Sequence, residues 1–131
     1  MDDYTFTLDF KVRDYECDLQ GVVNNANYQH YLEHARHEFL LENGIDFAAL
    51  TEEGIHLVVT RMEIDYKHPL LSGDRFCVGL NIRRLTKLRF QFQEDIYRLP
   101  EETLIIKGLV TGTSLNQHRR PAFPSQLESL F

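Results

Sequence analysis

Residues 14–36, DYECDLQGVVNNANYQHYLEHAR, join a polar loop directly to the start of an apolar helical pattern. The first half is rich in acidic residues, glycine and asparagine, whereas the second half brings back apolar side chains every three or four residues. The first N–H groups of a helix have no partner inside the helix, so acidic side chains in this loop would lie beside free backbone donors. We therefore expect the chemistry of this protein at the junction.

The apolar spacing after the loop predicts one helix over residues 27–42 with a single buried stripe. Asn43 and Gly44 fit its end, because glycine adopts the left-handed C-cap conformation without cost. The sequence leaves open which of three suitable residues is the N-cap: Asn24, Asn25 or Asn27. A further short helical turn is predicted at residues 47–50.

Alternating apolar and polar residues predict five strands outside this helix. They run from Phe6 to Val12, from Val58 to Tyr66, from Phe76 to Ile82, from Leu88 to Tyr97 and from Leu104 to Val110. In the second strand, one continuous alternation is expected to place Val58, Thr60 and Met62 on the same face. A bulge or bend is expected in the fifth strand at Gly108 and Gly112.

The order of elements is a strand, a long helix and then four strands with short connections. Ser125 and Glu128 have capping-box spacing after Pro124 and predict a short terminal helix. This order is typical of an α+β protein whose antiparallel sheet carries its helix on one face. The outer face of the sheet is expected to contact a second subunit. At 131 residues, the chain is predicted to form a single domain over residues 1–131.

The composition argues against several classes of partner. A net charge of −6 disfavours general binding to nucleic acid or anionic membranes. No apolar run approaches the roughly 20 residues that span a bilayer, so no membrane span is expected. Cys17 and Cys77 lie far apart without metal-type spacing, and the N-terminus lacks signal-peptide features. We expect a reducing, cytoplasmic location and no disulfide framework.

Two patterns look reactive but are better explained as ordinary surface or loop residues. His30, Glu33 and His34 match HxxEH, a helical zinc motif, yet we expect them on the solvated side of the helix. Cys17 would need a histidine base, and no local spacing supplies one. Acidic neighbours should also disfavour its thiolate. Asp18 is the stronger candidate, although the residues alone leave open whether it is catalytic or only forms a turn.

The chain also carries a composite motif around Asp18. Its first part is Glu16, Asp18, Gly21 and Val23, followed by Asn27, Tyr28, Glu33, Ala35 and Arg36. Its later part is Arg61, Met62, Glu63, Tyr66, Pro69, Gly73 and Asp74. This arrangement resembles the hot-dog-fold acyl-CoA thioesterases of the 4-hydroxybenzoyl-CoA thioesterase type, particularly the bacterial branch associated with the Tol-Pal system. The resemblance covers most of the chain and implies a sheet of about five strands wrapped around one long central helix.

The resemblance implies a role for each matched residue of the junction. Asp18 matches the catalytic aspartate, acting as nucleophile or general base, and the N–H of Asn25 matches the donor that polarises the thioester carbonyl. Gly21 would let the loop approach the substrate closely, and Tyr28 would contribute to packing and the pocket wall. Two departures are visible, because Asn25 stands where many relatives have histidine and Glu16 replaces the first aspartate of the pattern.

The implied activity is hydrolysis of an acyl-CoA thioester to a free acid and CoA, without a metal or redox cofactor. Candidates to bind the CoA phosphates are Arg61, Lys67, Arg83, Arg84, Lys87 and Arg89. Relatives form dimers with interfacial sites, commonly paired into tetramers, so some phosphate contacts are expected from another chain. Two alternatives remain: a hot-dog dehydratase or hydratase acting on acyl thioesters, and a non-catalytic acyl-CoA-binding protein.

Overall fold

A computed structural model describes residues 2–131 of the chain. Its regular elements are β1 (Phe6–Lys11), α1 (Asn25–Glu42), α2 (Phe47–Glu52), β2 (His56–Tyr66), β3 (Arg75–Arg84), β4 (Arg89–Leu99) and β5 (Thr103–Leu115). Two 3-10 helices, Asp14–Glu16 and Ser125–Leu130, lie before α1 and after β5. The predicted order is confirmed, and the predicted helical turn near residue 47 is α2.

The five strands form one antiparallel sheet in the order β1-β3-β4-β5-β2. The apolar stripe of α1, which includes Leu32 and Ala35, is fully buried against sheet residues such as Val78 and Ile96. Full burial of a side chain the size of leucine, isoleucine or valine contributes roughly 1.5–3 kcal/mol to folding stability. The α+β architecture with one long helix on one sheet face is therefore confirmed. Each of β1 and β2 has one strand neighbour and forms an edge of the sheet.

The alternation predicted for β2 is wrong in its first half. The register shifts between Val59 and Arg61, so Thr60 is an extra residue in a β-bulge. Beyond the bulge, Met62 packs on the core as expected. Before the bulge, Val59 pairs with Gly112, whose missing side chain would point at the core residue Phe90. The bulge therefore moves the inward-facing positions from even to odd numbers.

The two glycines of β5 have different roles. Gly112 lies opposite the Thr60 bulge, so a distortion is found there, although the extra residue is in β2. Gly108 lies in regular ladder pairing with Glu94, and an added Cβ would come within 2.9 Å of the Glu94 carbonyl oxygen. The register between β4 and β5 shifts at Ile105, which is the extra residue of β5. β5 is therefore not bent at Gly108; instead, the backbone of β4 approaches it closely.

The terminal helix exists but differs from its prediction. It is a 3-10 helix whose N-cap is Pro124, without a side-chain capping bond. The Ser125 hydroxyl contacts Gln126, at 3.5 Å, so the capping box is not formed. Leu127 is buried and packs against the second half of α1 and the ends of the strands. Burial of this side chain, rather than capping, holds the segment in place.

Candidate functional site

The loop before α1 is a small hairpin that presents Asp18 at its tip. Cys17 forms a bridge with Val23, and the Asp18 N–H donates to the Val22 carbonyl oxygen at 2.8 Å. The Gly21 N–H donates to the Asp18 carbonyl oxygen at 3.0 Å and closes a four-residue turn. Gly21 has a φ of +81°, a conformation that other residues rarely adopt. The backbone conformation of this turn therefore accounts for aspartate at its first position and glycine at its fourth.

The Asp18 carboxylate is exposed, and one of its oxygens is already engaged by the turn. Its Oδ1 accepts hydrogen bonds from the backbone N–H groups of Gln20 at 2.8 Å and Val22 at 3.4 Å. Among residues 2–131, Oδ2 has no donor. Asp18 therefore does have the turn-forming role considered from the sequence, and the same hydrogen bonds hold its side chain in one orientation.

The N-terminus of α1 follows this hairpin directly and carries an unpaired backbone donor. Asn24 is the N-cap, because its side-chain oxygen accepts from the Ala26 N–H at 3.0 Å. The helix begins at Asn25, two residues before its predicted start. Within the described part of the chain, the Asn25 N–H has no acceptor, and the first turn contains no acidic residue. The positive end of the helix dipole is therefore uncompensated at this point.

Glu16 ties the hairpin to the helix. Its carbonyl oxygen accepts from the Asn24 N–H at 3.0 Å and from the Asn27 side-chain amide at 2.7 Å. Its carboxylate is largely buried and accepts from the Arg13 N–H at 2.8 Å. The departure from aspartate at this position therefore has a structural use, since the Glu16 side chain caps the 3-10 helix.

Tyr28 supports the loop from below and is only 3% exposed. Its hydroxyl accepts from the Leu70 N–H at 2.9 Å, and the Leu70 carbonyl accepts from the Val23 N–H at 2.9 Å. The Tyr28 ring also meets the Tyr66 ring at the end of β2, with centroids 5.8 Å apart. The packing role is evident in these contacts, whereas a direct substrate contact remains a prediction.

The two decoy patterns have ordinary surroundings. Partial burial, and next the negative charges of Asp14 and Asp18, raise the pKa of the Cys17 thiol, as expected for an unreactive cysteine. His30 and His34 are exposed on α1, as predicted, and lie on the rim of a cleft beside β1. No group of three or more histidine, cysteine, aspartate or glutamate side chains is arranged to hold a metal ion within residues 2–131.

The basic candidates are spread along the sheet and do not form one cluster. Lys67 follows β2 at the end that contacts Tyr28. Arg61 lies toward the other end of β2, in the cross-strand row of Thr111, Gln91 and Arg83, and its guanidinium is 3.2 Å from Glu63. Four others lie at the β3–β4 turn: Arg83, Arg84, Lys87 and Arg89. At about 3.3 Å per residue, this turn is roughly 25 Å along the strands from the Lys67 end, so one chain does not bring Lys67 to the turn residues.

Arg84 makes the most contacts with its own chain among these basic residues. Its guanidinium stacks 3.8 Å from the Phe123 ring centroid and forms an ion pair with Glu128 at 3.5 Å. It also donates to the Lys87 carbonyl oxygen at 2.7 Å. Lys87 and Arg89 are exposed in the turn. These contacts attach the C-terminal segment to the sheet and leave fewer Arg84 donors for a phosphate.

A largely apolar cavity of about 200 Å³ lies between the second half of α1, the start of β2 and the C-terminal 3-10 helix. We refer to it as the C-terminal cavity. Its apolar lining includes Leu40, Phe47, Phe92, Leu127, Leu130 and Phe131. Its ionisable lining residues are Glu33, Arg36 and His37. The sequence did not point to this cavity, because its walls come from separate elements that no local pattern connects.

A buried ion pair lies beside the C-terminal cavity. Arg36 donates to Glu94 Oε1 at 2.7 Å, and Glu94 is fully buried. Burial raises the pKa of Glu94 to about 7, although the Arg36 charge opposes this shift. Glu94 Oε2 has no hydrogen-bond partner within residues 2–131. The sequence does indicate that Glu94 is buried, because it falls in phase with the inward-facing Phe90, Phe92 and Ile96.

Comparison with known proteins identifies the family to which this fold belongs. Residues 12–131 match the thioesterase-like superfamily. A chloroplastic acyl-acyl carrier protein thioesterase of Arabidopsis thaliana is 38% identical over 125 residues, which are 95% of this chain and 66% of that protein. The long-chain acyl-CoA thioesterase FadM of Escherichia coli is 32% identical over 77% of this chain and 76% of its own length. The chain spans about two thirds of the length of the plant relatives.

Among solved structures, a 1,4-dihydroxy-2-naphthoyl-CoA thioesterase from Synechocystis superposes with a TM-score of 0.90. It is 21% identical, and the match covers 95% of this chain and 93% of that one, which shows the fold. The chain therefore belongs to the thioesterase-like superfamily and has its hot-dog fold. In residues 2–131, no helix combines the length and apolar character needed to cross a membrane.

Proposed function

We propose that this protein is an acyl thioesterase that hydrolyses an acyl-CoA thioester to a free acid and CoA. The observation that carries the proposal is the joining of Asp18 and the open N-terminus of α1 in one hydrogen-bonded unit. Hydrogen bonds from Asn24 and Asn27 to the Glu16 carbonyl oxygen tie the hairpin with its half-free carboxylate to the helix start with its unpaired donor. Membership of the thioesterase-like superfamily supports the same chemistry.

In the proposed reaction, the Asn25 N–H donates to the thioester carbonyl oxygen and stabilises the negative charge that develops there. Asp18 acts in one of two ways. As a general base it takes a proton from water, whose oxygen attacks the carbonyl carbon while the CoA thiolate leaves and is protonated. As a nucleophile its oxygen forms a mixed anhydride with release of CoA thiolate, and water then hydrolyses the anhydride. Neither route requires a metal or redox cofactor.

The free Asp18 oxygen suits both routes. Because Oδ1 is held by two backbone N–H groups, the carboxylate is oriented before a substrate binds. Such prior orientation avoids part of the entropy cost of bringing reacting groups together. The space beside Gly21 is open, since a Cβ built on it meets no atom within 4 Å, and its close approach to substrate stays a prediction. The proposed substrate is acyl-CoA or another acyl thioester, and the 4-hydroxybenzoyl-CoA type and Tol-Pal-associated branch remain proposed finer assignments.

We also propose that the active form is a dimer joined through β2, with dimers pairing further into a tetramer. β2 is an 11-residue edge strand whose second side has no strand partner within residues 2–131. Exposed edges of this length are templates for pairing with another chain. Pairing through β2 would also bring basic groups from two chains to one CoA. Sedimentation analysis is expected to give a dimer or tetramer, and a monomer at micromolar concentration would contradict the assembly.

A cytoplasmic location is the remaining part of the proposal. Cys17 and Cys77 are both free thiols, which suits a reducing compartment. Acyl thioesters are the proposed partners, together with further copies of this chain. Nucleic acid is not a proposed partner because the net charge is −6.

The deciding experiment is thiol release from a panel of aliphatic and aromatic acyl-CoA substrates by wild type and by Asp18→Asn. The asparagine keeps the turn-forming acceptor but removes the charge, so a loss of about 10²- to 10⁴-fold in kcat/KM is expected with unchanged folding. Asp46→Asn is the matched control, because Asp46 is an exposed residue whose Oδ1 accepts from the Ala48 N–H at 3.0 Å. This control should keep full activity.

The same panel separates the alternatives. Change in double-bond absorbance without thiol release would support a dehydratase or hydratase. Saturable binding without either signal would support a non-catalytic acyl-CoA-binding protein. Full activity of Asp18→Asn on the best substrate would remove Asp18 from the reaction.

A further inference from the structure

The β3–β4 turn concentrates positive charge in a chain that is acidic as a whole. Residues 83–89, RRLTKLR, hold four of the 14 lysine and arginine residues, and no acidic residue lies between Asp74 and Glu94. Within residues 2–131, one of these four cations has an ion-pair partner, since Arg84 lies 3.5 Å from Glu128. The local charge of the turn is therefore opposite to the net charge of −6.

Two leucines of the same turn are exposed among these cations. Leu85 is 40% exposed and Leu88 is 43% exposed. The turn holds them in place, because the Thr86 hydroxyl oxygen accepts from the N–H groups of Leu88 at 3.3 Å and Arg89 at 3.1 Å. The Leu85 N–H also donates to the Arg89 carbonyl oxygen at 2.8 Å. A hydrogen-bonded backbone thus presents both leucines to the solvent at the tip of the hairpin.

The cations surround the two leucines on both faces of the hairpin. Arg83 pairs with Gln91 across the strands, on the sheet face opposite α1, and donates to its Oε1 at 2.7 Å. Arg89, two residues before Gln91, lies on the same face. Arg84 lies on the helix side beside the C-terminal 3-10 helix, and Lys87 is in the turn itself. Positive charge therefore forms a collar around an apolar tip.

An apolar tip with a basic collar fits the surface of an anionic phospholipid membrane. Leucine side chains enter the boundary between headgroups and acyl chains, while lysine and arginine are attracted to the lipid phosphates. Salt screens charges beyond about 10 Å at 0.1 M ionic strength, so the turn responds mainly to its own charges rather than to distant acidic residues. The net charge thus disfavours adhesion of the whole surface without preventing contact through this turn.

Other occupants fit the turn less well. A two-fold contact with a second copy would bring the four cations of each chain together, and like charges at a contact repel. A soluble phosphate compound such as CoA could use the cations, but it would leave Leu85 and Leu88 in water. The leucines are therefore the residues that distinguish a lipid surface from a soluble anion.

We propose that the β3–β4 turn docks this protein on anionic phospholipid membranes. Leu85 and Leu88 enter the headgroup boundary, and Arg83, Lys87 and Arg89 contact the lipid phosphates. Two leucines and a few cations give reversible attachment rather than permanent anchoring. Docking at this turn does not depend on the reaction proposed at the other end of the sheet, and it determines where the protein is held.

Co-sedimentation with vesicles tests the electrostatic part of this docking. Wild type should bind vesicles of equal parts phosphatidylglycerol and phosphatidylcholine, bind pure phosphatidylcholine vesicles far less, and be released as salt is raised. Lys87→Gln/Arg89→Gln should weaken binding about 25-fold, because each cation at an anionic surface contributes roughly a factor of five. Lys11→Gln/Arg75→Gln is the matched control, since these exposed, paired residues lie at the opposite end of β3.

A leucine variant tests the apolar part. Leu85→Ser/Leu88→Ser keeps every charge and should still weaken binding about tenfold or more, because the apolar area that leaves water is lost. Leu41→Ser is the matched control, because Leu41 is 51% exposed on α1, away from the turn. This control should bind like wild type.

A fluorescent reporter tests insertion directly. The chain contains no tryptophan, so Leu88→Trp places a single tryptophan at the tip. Its emission should move to shorter wavelength when phosphatidylglycerol vesicles are added, and brominated lipids should quench it. Leu41→Trp should show neither effect, since that side chain would stay in water.

The outcomes decide between a membrane surface and the other occupants. Weaker binding in both turn variants, together with the Leu88→Trp shift, supports the proposal. No binding of wild type to phosphatidylglycerol vesicles at low salt overturns it. Unchanged binding of Leu85→Ser/Leu88→Ser also overturns it and leaves the cations to a soluble anion. Losses of equal size in the control variants have the same consequence, because they would show a general effect of charge or apolar surface.

Discussion

Replacing Arg36 by methionine is expected to cost about 3–5 kcal/mol of folding stability at pH 8. The change removes one partner of the ion pair with Glu94 and keeps a long unbranched side chain in its place. Glu94 is fully buried and already has one carboxylate oxygen without a hydrogen bond in the described chain. Without the guanidinium, its charge would be uncompensated in the protein interior.

The size of the loss should depend on pH, and its sign follows from the pKa of Glu94. Burial raises this pKa from 4.5 to about 7 in the folded protein. Between these values the folded state binds more protons than the unfolded state, so stability falls as pH rises, by about 3 kcal/mol for this group. The Arg36 charge opposes the shift, so its removal raises the pKa further. Arg36→Met should therefore be much less damaging at pH 5, where Glu94 is protonated.

Urea unfolding at pH 5 and pH 8 measures both effects. Arg61→Met is the matched control, because Arg61 forms an exposed pair with Glu63 at 3.2 Å and should contribute at most about 1 kcal/mol. The double variant Arg36→Met/Glu94→Met replaces the pair by apolar side chains and should be near wild-type stability or above it. The reasoning is refuted if Arg36→Met is no more destabilising at pH 8 than Arg61→Met, or if its cost is equal at both pH values.

Two further predictions concern the N-terminus of α1 and the middle of β3. Asn24→Ala removes the N-cap acceptor of α1 and should cost about 1 kcal/mol in urea unfolding, whereas Asn24→Asp should keep wild-type stability; equal stability of both variants would exclude the capping role. Gly79→Ala would place a Cβ 2.6 Å from the Tyr4 ring, whose hydroxyl contacts Asp95 at 2.5 Å, and should lower the thermal midpoint by several degrees. In a Tyr4→Ala background the same substitution should have little further effect, and full additivity of the two losses would argue against the clash.

The strands and the main helix were predictable because periodic burial dominates their sequences. The start of α1 was misplaced, since Asn25 and Ala26 are exposed and add nothing to the apolar stripe. The bulge at Thr60 was misplaced for a different reason. Gly112 marks the distortion, but the sequence does not say which of two paired strands takes the extra residue. The spacing of Ser125 and Glu128 predicts a capping box in the terminal segment, but the segment is a 3-10 helix held by the burial of Leu127 in the core.

The candidate site was only partly readable from the sequence. The neighbourhood of Asp18 and the helix start follows from short sequence separation, because seven residues and a tight turn keep them together. The Arg36–Glu94 pair spans 58 residues and requires that α1 pack on β4, which no local pattern encodes. The C-terminal cavity is harder still, since it exists only after α1, α2, the sheet and the terminal segment have assembled.

The bulge at Thr60 shows how an edge strand can hold one additional residue without exchanging its faces. Val59 pairs with Gly112 and Arg61 pairs with Thr111, so removal of Thr60 would join two ladders that are already in phase and keep Val59 toward the helix side. A single codon gained or lost at this point therefore leaves the inner and outer side chains of β2 in place, whereas the same change elsewhere in the strand would exchange its two faces. The edge strand can thus vary in length here while the lining of the cavity, Asp18 and the helix start stay as they are.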